Sequence, residues 1–118
     1  MSEPILNPEA IDALRAVSPD DGGAFLTELI DIFLHDTPLR LKELADATAA
    51  GDVPTATRAA HSIKGSSGNF GAAGLARIAL ELETAAKAGQ LAEVAAKQAA
   101  IEQQFALVRD ALTALRTA

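Results

Sequence analysis

The chain has 118 residues, and its 10 lysines and arginines against 16 aspartates and glutamates give a formal charge of −6, which disfavours binding to a nucleic-acid backbone. Cysteine is absent, which excludes zinc–thiolate sites, disulfides and thiol catalysis, and two histidines are too few for a histidine-rich metal centre. A chain of this length can bury roughly two thirds of its unfolded surface, so we expect a single domain over residues 1–118.

Capping residues, prolines and glycines mark possible helix ends along the chain, and between them apolar residues recur at helical spacings. This pattern predicts six helices, at about 8–16, 22–36, 38–50, 53–70, 75–89 and 91–116. No segment shows the alternating, β-branched pattern that is typical of a strand. Alanine occurs 27 times and tryptophan and tyrosine are absent, so we expect a core of small and aliphatic side chains between closely packed helices.

Two Asx/Thr–Pro pairs indicate where helices begin. Asn7-Pro8 joins an N-cap side chain to the residue favoured at the first helical position. Thr37-Pro38 repeats this arrangement, so it predicts that the chain breaks between the second and third helices.

The connections between the later helices are short. Gly51 can end one helix while Asp52 caps the next, and the glycines within 71–74 and at Gly89 allow two further breaks. Short connections favour antiparallel neighbours. We therefore predict an all-α fold, an antiparallel up-and-down four-helix bundle formed by the second to fifth or the third to sixth helices, with a short N-terminal flanking helix.

The fourth predicted helix places a histidine away from the core. On a wheel of about 100° per residue, Ile63 and Phe70 lie on the side opposite His61, whereas Lys64 lies within about 60° of it. Because a helix buries its apolar stripe, His61 is expected to face solvent beside Lys64.

Two glycines, Gly65 and Gly68, share the face of His61. Each costs roughly 1 kcal/mol relative to alanine inside a helix, so clearance beside the ring explains them better than stability does. Lys64 offers a cation that can steady an anion bound to the ring, and neutral imidazole is a competent nucleophile for a phosphoryl group. No base, triad or magnesium site accompanies it, so the pattern indicates a carrier rather than an enzyme.

The run at 59–72, AAHSIKGSSGNFGA, resembles the signature of histidine-containing phosphotransfer (HPt) domains of bacterial phosphorelays. The resemblance implies a four-helix bundle in which His61 accepts the phosphoryl group through Nε2. It implies that Lys64 lies near that group and that Gly65 leaves room for the partner. Glu83 falls where many members place a glutamate or glutamine that hydrogen-bonds the imidazole, which implies that it orients the ring through Nδ1–H.

The resemblance also implies the partners. These are the aspartates of response-regulator receiver domains and a hybrid sensor histidine kinase, with Mg²⁺ supplied by the receiver and no cofactor or metal held by this chain. We expect a monomer without kinase or ATPase activity that binds neither nucleic acid nor membrane. Residues 1–4 lack the start of a signal peptide and no apolar stretch approaches ~18 residues, so we expect a soluble, cytoplasmic protein.

Other interpretations of the same residues stay open. The chain can be a free-standing carrier or an excised C-terminal module of a hybrid kinase. The phosphoacceptor domain of chemotaxis kinases shares a stretch similar to residues 61–65, but those kinases continue into dimerisation and ATP-binding domains that this sequence does not contain. A different class is a regulatory helical binding module, which docks a partner on this face without turnover of phosphate.

The remaining candidate residues are assigned no catalytic or ligand-binding role. His35 lies at the predicted end of the second helix, where a cation can cap carbonyls and interact with the helix dipole. Ser66 and Ser67 fall on the packed side of their helix and have no histidine partner in register. The glycine-rich run at 65–74 lacks the strand and the Gly-Lys-Ser/Thr ending of a phosphate loop.

Overall fold

Five helices make up the computed structural model, which describes residues 5–116. They are α1 (Pro8–Val17), α2 (Ala24–Ala50), α3 (Val53–Asn69), α4 (Ala73–Lys87) and α5 (Leu91–Arg116). Helices α2 to α5 contact one another in ring order, with α5 closing back onto α2, and α1 packs on α2. This confirms the predicted all-α bundle with a short N-terminal flanking helix. Residues 1–4, which carry the expectation of no signal peptide, lie outside the described range.

The predicted helix ends are confirmed where a local capping residue determines them. Asn7 accepts a hydrogen bond from the backbone N–H of Glu9 at 2.9 Å, and Asp52 accepts one from the N–H of Thr55 at 3.2 Å. Gly51 ends α2 in the left-handed region with φ of 74°, which glycine adopts without steric penalty. These residues terminate one helix and start the next regardless of how the helices pack.

The predicted break at Thr37-Pro38 is wrong, because α2 runs through Pro38 without interruption. Proline inside a helix costs about 3 kcal/mol, since it removes one hydrogen bond and crowds the preceding turn. The buried face of α2 nevertheless continues across it at spacings of three and four, through Leu26, Ile30, Phe33, Thr37, Leu41, Leu44 and Ala47. Packing of this stripe outweighs the proline penalty. His35 therefore lies exposed within α2, and its predicted position at a helix end is also wrong.

Three phenylalanines fix the rotation of α3 in the bundle. The ring of Phe33 on α2 meets Phe70 edge-on, with centroids 5.3 Å apart, and lies 5.8 Å from Phe105 on α5. Phe70 and Ile63 are buried, as predicted. The opposite side of α3, which carries His61, consequently faces solvent.

Alanine lets α3 and α4 approach closely, and this pair makes the most extensive contact between any two helices. Both helices present buried alanines, namely Ala56, Ala59 and Ala60 on α3 and Ala79, Ala85 and Ala86 on α4. Small side chains at a crossing shorten the distance between helix axes, so side chains at the edge of α4 can reach those at the edge of α3. Within residues 5–116, no helix has an apolar stretch long enough to cross a membrane.

Candidate functional site

His61 lies in the middle of α3 with its side chain 65% exposed. Its Nδ1 is 2.9 Å from Oε2 of Glu83 on α4. An ionised carboxylate can only accept a hydrogen bond, so Nδ1 must carry the hydrogen. The lone pair of the neutral ring is then on Nε2.

Glu83 is the most enclosed member of the site, with a side chain only 19% exposed. Its second oxygen, Oε1, lies 2.7 Å from Nζ of Lys64. The hydrogen bond from Lys64 lowers the pKa of Glu83 below its usual 4.5, partial burial opposes this, and the hydrogen bond from His61 adds to the lowering. Glu83 is therefore ionised near neutral pH, which is the condition for a hydrogen on Nδ1.

Lys64 is held rather than free in solvent. It lies one turn from His61 on α3, its side chain is 32% exposed, and its ammonium forms an ion pair with Glu83 of α4. One carboxylate thus binds both the ammonium and the ring. The three side chains bring a carboxylate, an ammonium and an imidazole together.

The surface next to the ring is free of side chains. Gly65 and Gly68 are exposed, and a Cβ built on either would meet no heavy atom within 4 Å. Internal packing therefore requires glycine at neither position. Alanine would be the better helix former at both, so the fold itself offers no reason for these glycines.

The structure brings together His61, Lys64 and Glu83, with Gly65 beside them, and leaves His35 elsewhere on α2. Ser67 is buried and its hydroxyl donates to the carbonyl of Ile63 at 2.6 Å, which is a local helix bond rather than a nucleophile's contact. The ion pair between Lys64 and Glu83 was missed by sequence reasoning. Opposite charges on two helices give no signal for it until the register of α3 and α4 is known.

Comparison with known proteins defines the class of this bundle with an exposed histidine. The model of the Hpt domain family matches residues 28–118. Phosphorelay protein LuxU from two strains of Vibrio vulnificus, YJ016 and CMCP6, is 33% identical over 76 residues, which are 64% of this chain and 66% of the relatives' length. The crystal structure of histidine-containing phosphotransfer protein B (HptB) from Pseudomonas aeruginosa PAO1 is 35% identical with a TM-score of 0.88, and the match covers 98% of this chain and 97% of that one.

The chain therefore belongs to the Hpt domain family. The match to the LuxU proteins spans slightly less than two thirds of their length. The signature at 59–72, from which the family was predicted, forms the last 11 of the 17 residues of α3 and its connection to α4.

Proposed function

We propose that the chain is a histidine phosphocarrier of a two-component phosphorelay. It accepts a phosphoryl group from a receiver-domain aspartate on Nε2 of His61 and passes it to another receiver. The contact between Nδ1 of His61 and Glu83, at 2.9 Å, is the observation that supports this most strongly. It directs Nδ1 towards Glu83 and leaves Nε2 of the exposed ring as the nucleophilic nitrogen.

The transfer step uses the proton arrangement of this pair. When the Nε2 lone pair attacks phosphorus, the P–O bond to the aspartate breaks and its electrons return to the aspartate carboxylate. Nδ1 keeps its proton, so the phosphorylated ring is cationic and faces the carboxylate of Glu83. In the onward step a carboxylate oxygen of the second receiver's aspartate forms a bond to phosphorus, the Nε2–P bond breaks with its electron pair returning to Nε2, and the ring leaves as neutral imidazole rather than as imidazolate. Glu83 therefore favours both acceptance and donation.

Lys64 contributes charge stabilisation in this mechanism. It pairs with Glu83 in the unphosphorylated chain. A phosphoryl group on Nε2 would introduce negative charge within one helical turn, where it competes with Glu83 for the ammonium. Such a partly exposed ion pair is worth about 1 kcal/mol or less, so Lys64 tunes the rate and is not essential.

Receivers would dock over the exposed glycine face and the adjoining edge of α2. Ile32 on α2 is 57% exposed. It lines a shallow groove between α2 and α3 with Ser66 and Asn69. The groove also includes Asp36, so it offers an apolar side chain with polar groups beside it for contact with a receiver.

The partners in this proposal are response-regulator receiver domains and the receiver of a hybrid sensor histidine kinase. Mg²⁺ belongs to the receiver, and the chain itself brings no cofactor and no kinase or ATPase activity. It acts as a cytoplasmic monomer and binds neither nucleic acid nor membrane.

The test is a phosphotransfer profile against the receiver domains of the host. Each receiver is phosphorylated with a small phosphodonor and incubated with the wild-type chain, His61→Gln and His35→Gln. We expect acid-labile, alkali-stable phosphate on wild type and His35→Gln, and none on His61→Gln. Receivers that bind the chain without ever phosphorylating it would instead identify a regulatory binding module.

A further inference from the structure

The start of α1 touches the end of α3. The backbone N–H of Asn7, the N-cap of α1, donates to the carbonyl of Phe70 at 3.3 Å. Helix α1 lies outside residues 28–118, the range that matches the family model. It is anchored independently, because Ile11 is buried in the core. A segment beyond the matched range is therefore attached to the helix that carries His61.

Gly71 is the point of closest approach. Its φ of 64° lies in the left-handed region, and a Cβ built on it would come within 2.2 Å of the Cβ of Asn7 and 3.0 Å of its backbone N. Gly51 has a similar φ of 74° at the end of α2, but a Cβ there would meet nothing within 4 Å. Gly71 is consequently required for two reasons, backbone conformation and contact with α1, whereas Gly51 is required for only the first.

Two glycines weaken the last turns of α3, whose end is otherwise held by the buried Ser67 and by a hydrogen bond from the N–H of Ala72 to the carbonyl of Ser67 at 3.0 Å. Gly65 and Gly68 contribute no side chains to packing, and each raises the entropic cost of keeping the last two turns helical. Beyond the helix, Phe70 is buried against Phe33. Asn7 binds the carbonyl of Phe70, so it restrains the chain at the point where the glycine-bearing turn ends.

We propose that Asn7, Phe70 and Gly71 form a clasp, through which α1 keeps the last turns of α3 ordered and so positions the surface that a receiver approaches. Asn7 acts here through α3 and is a positioning residue. The effect on α3 stands on the contacts above, and only the effect on docking rests on the proposed function.

The first test measures amide hydrogen exchange by NMR in the unphosphorylated chain. We expect Gly71→Ala to accelerate exchange at residues 66–70 about tenfold more than Gly51→Ala accelerates it at residues 47–50. Both changes force alanine into the left-handed region, so the excess at Gly71 isolates the contact with α1. Equal effects of the two substitutions would overturn the clasp.

The second test removes the atom that alanine would strike. Asn7→Gly deletes the Cβ nearest to Gly71 and keeps the backbone N–H that binds Phe70, and glycine is tolerated at N-caps. The double variant Asn7→Gly/Gly71→Ala should recover part of the difference from Gly51→Ala, because the backbone N and Cα of residue 7 would still lie 3.0 and 3.1 Å from the added Cβ. If Gly71→Ala alone does not fold, the double variant should regain the helical circular dichroism signal. A double variant no better than Gly71→Ala contradicts the proposal.

The third test concerns docking. The receiver concentration for half-maximal transfer should rise several-fold in Gly71→Ala and remain unchanged in Gly51→Ala. Faster exchange with unaltered transfer would overturn the link to docking. A wild-type chain that accepts no phosphoryl group would refute the proposed function. The comparison of hydrogen exchange between Gly71→Ala and Gly51→Ala would still test the clasp.

Discussion

His61 and Glu83 lie on different helices, and the ring is joined to the carboxylate across the α3–α4 contact at 2.9 Å. The same carboxylate binds Lys64, one turn further along α3. The position of the imidazole therefore depends on how closely the alanine-lined faces of α3 and α4 approach. Because the three side chains are linked in this way, a substitution of each one is expected to change a different measurable property of the protein.

His61→Gln should abolish phosphoryl acceptance while the melting temperature stays nearly unchanged. The ring is mostly exposed and its loss removes one surface hydrogen bond, so the free energy of unfolding should change by less than about 1 kcal/mol. His35→Gln is the matched control, since that histidine is exposed on α2, and it should transfer normally. Loss of transfer in His35→Gln with retention in His61→Gln would refute the site.

Glu83→Gln should change how stability depends on pH. The folded-state pKa of Glu83 is below its usual 4.5, chiefly through Lys64, so the folded chain binds this proton more weakly than the unfolded chain. The resulting stabilisation is fully present above the unfolded pKa and is lost as pH falls through the folded pKa. Thermal melts of both proteins should show a wild-type advantage near pH 7 that shrinks as the pH falls below the usual glutamate pKa of 4.5. A pH-independent difference would mean that the ionised carboxylate contributes nothing.

Lys64→Ala should slow transfer or shorten the lifetime of the phosphohistidine without eliminating modification. A partly exposed cation contributes about 1 kcal/mol or less in water, and more when a docked receiver excludes solvent. The control is Lys97→Ala, which removes a comparable ion pair between α5 and Glu81 of α4. Identical rates for Lys64→Ala and wild type in both directions of transfer would remove Lys64 from the mechanism.

Features that depend on single residues were predictable from the sequence. The cap at Asn7, the glycine end at Gly51 and the outward direction of His61 each follow from local chemistry or from the wheel of one helix. The break at Pro38 was predicted wrongly for the complementary reason. Its local penalty is real, but α2 buries a stripe of side chains on both sides of it and packs against three other helices, and local rules do not include that contribution.

Relationships between helices required the fold. Family resemblance pointed to Glu83, whereas neither composition nor periodicity states which residue of α4 lies beside His61. The contact of Asn7 with Gly71 joins positions far apart in sequence through backbone atoms and a missing Cβ. The only sign of this contact in the sequence is Gly71, and the end of α3 already explains a glycine at that position.

The glycine face is tested by Gly65→Ala and Gly65→Gln. A Cβ added at this exposed position meets no heavy atom within 4 Å, and both residues form helix better than glycine, so the free energy of unfolding should rise by up to about 1 kcal/mol. Ala99→Gln, at an exposed position on α5, controls for adding the same side chain away from the site. Melting temperatures should be unchanged or higher in all three variants.

Transfer by the Gly65 variants should nevertheless fall in the order glycine, alanine, glutamine, and Ala99→Gln should match wild type. A receiver must bring its aspartate and metal within bonding reach of Nε2, and a side chain one turn from His61 holds the two surfaces apart. A misplacement of about 1 Å can cost 10²-fold in rate, so glutamine should have the larger effect. A folded Gly65→Gln that transfers normally would show that clearance is not why glycine stands there, and a backbone contact to the phosphoryl group would then be the better explanation.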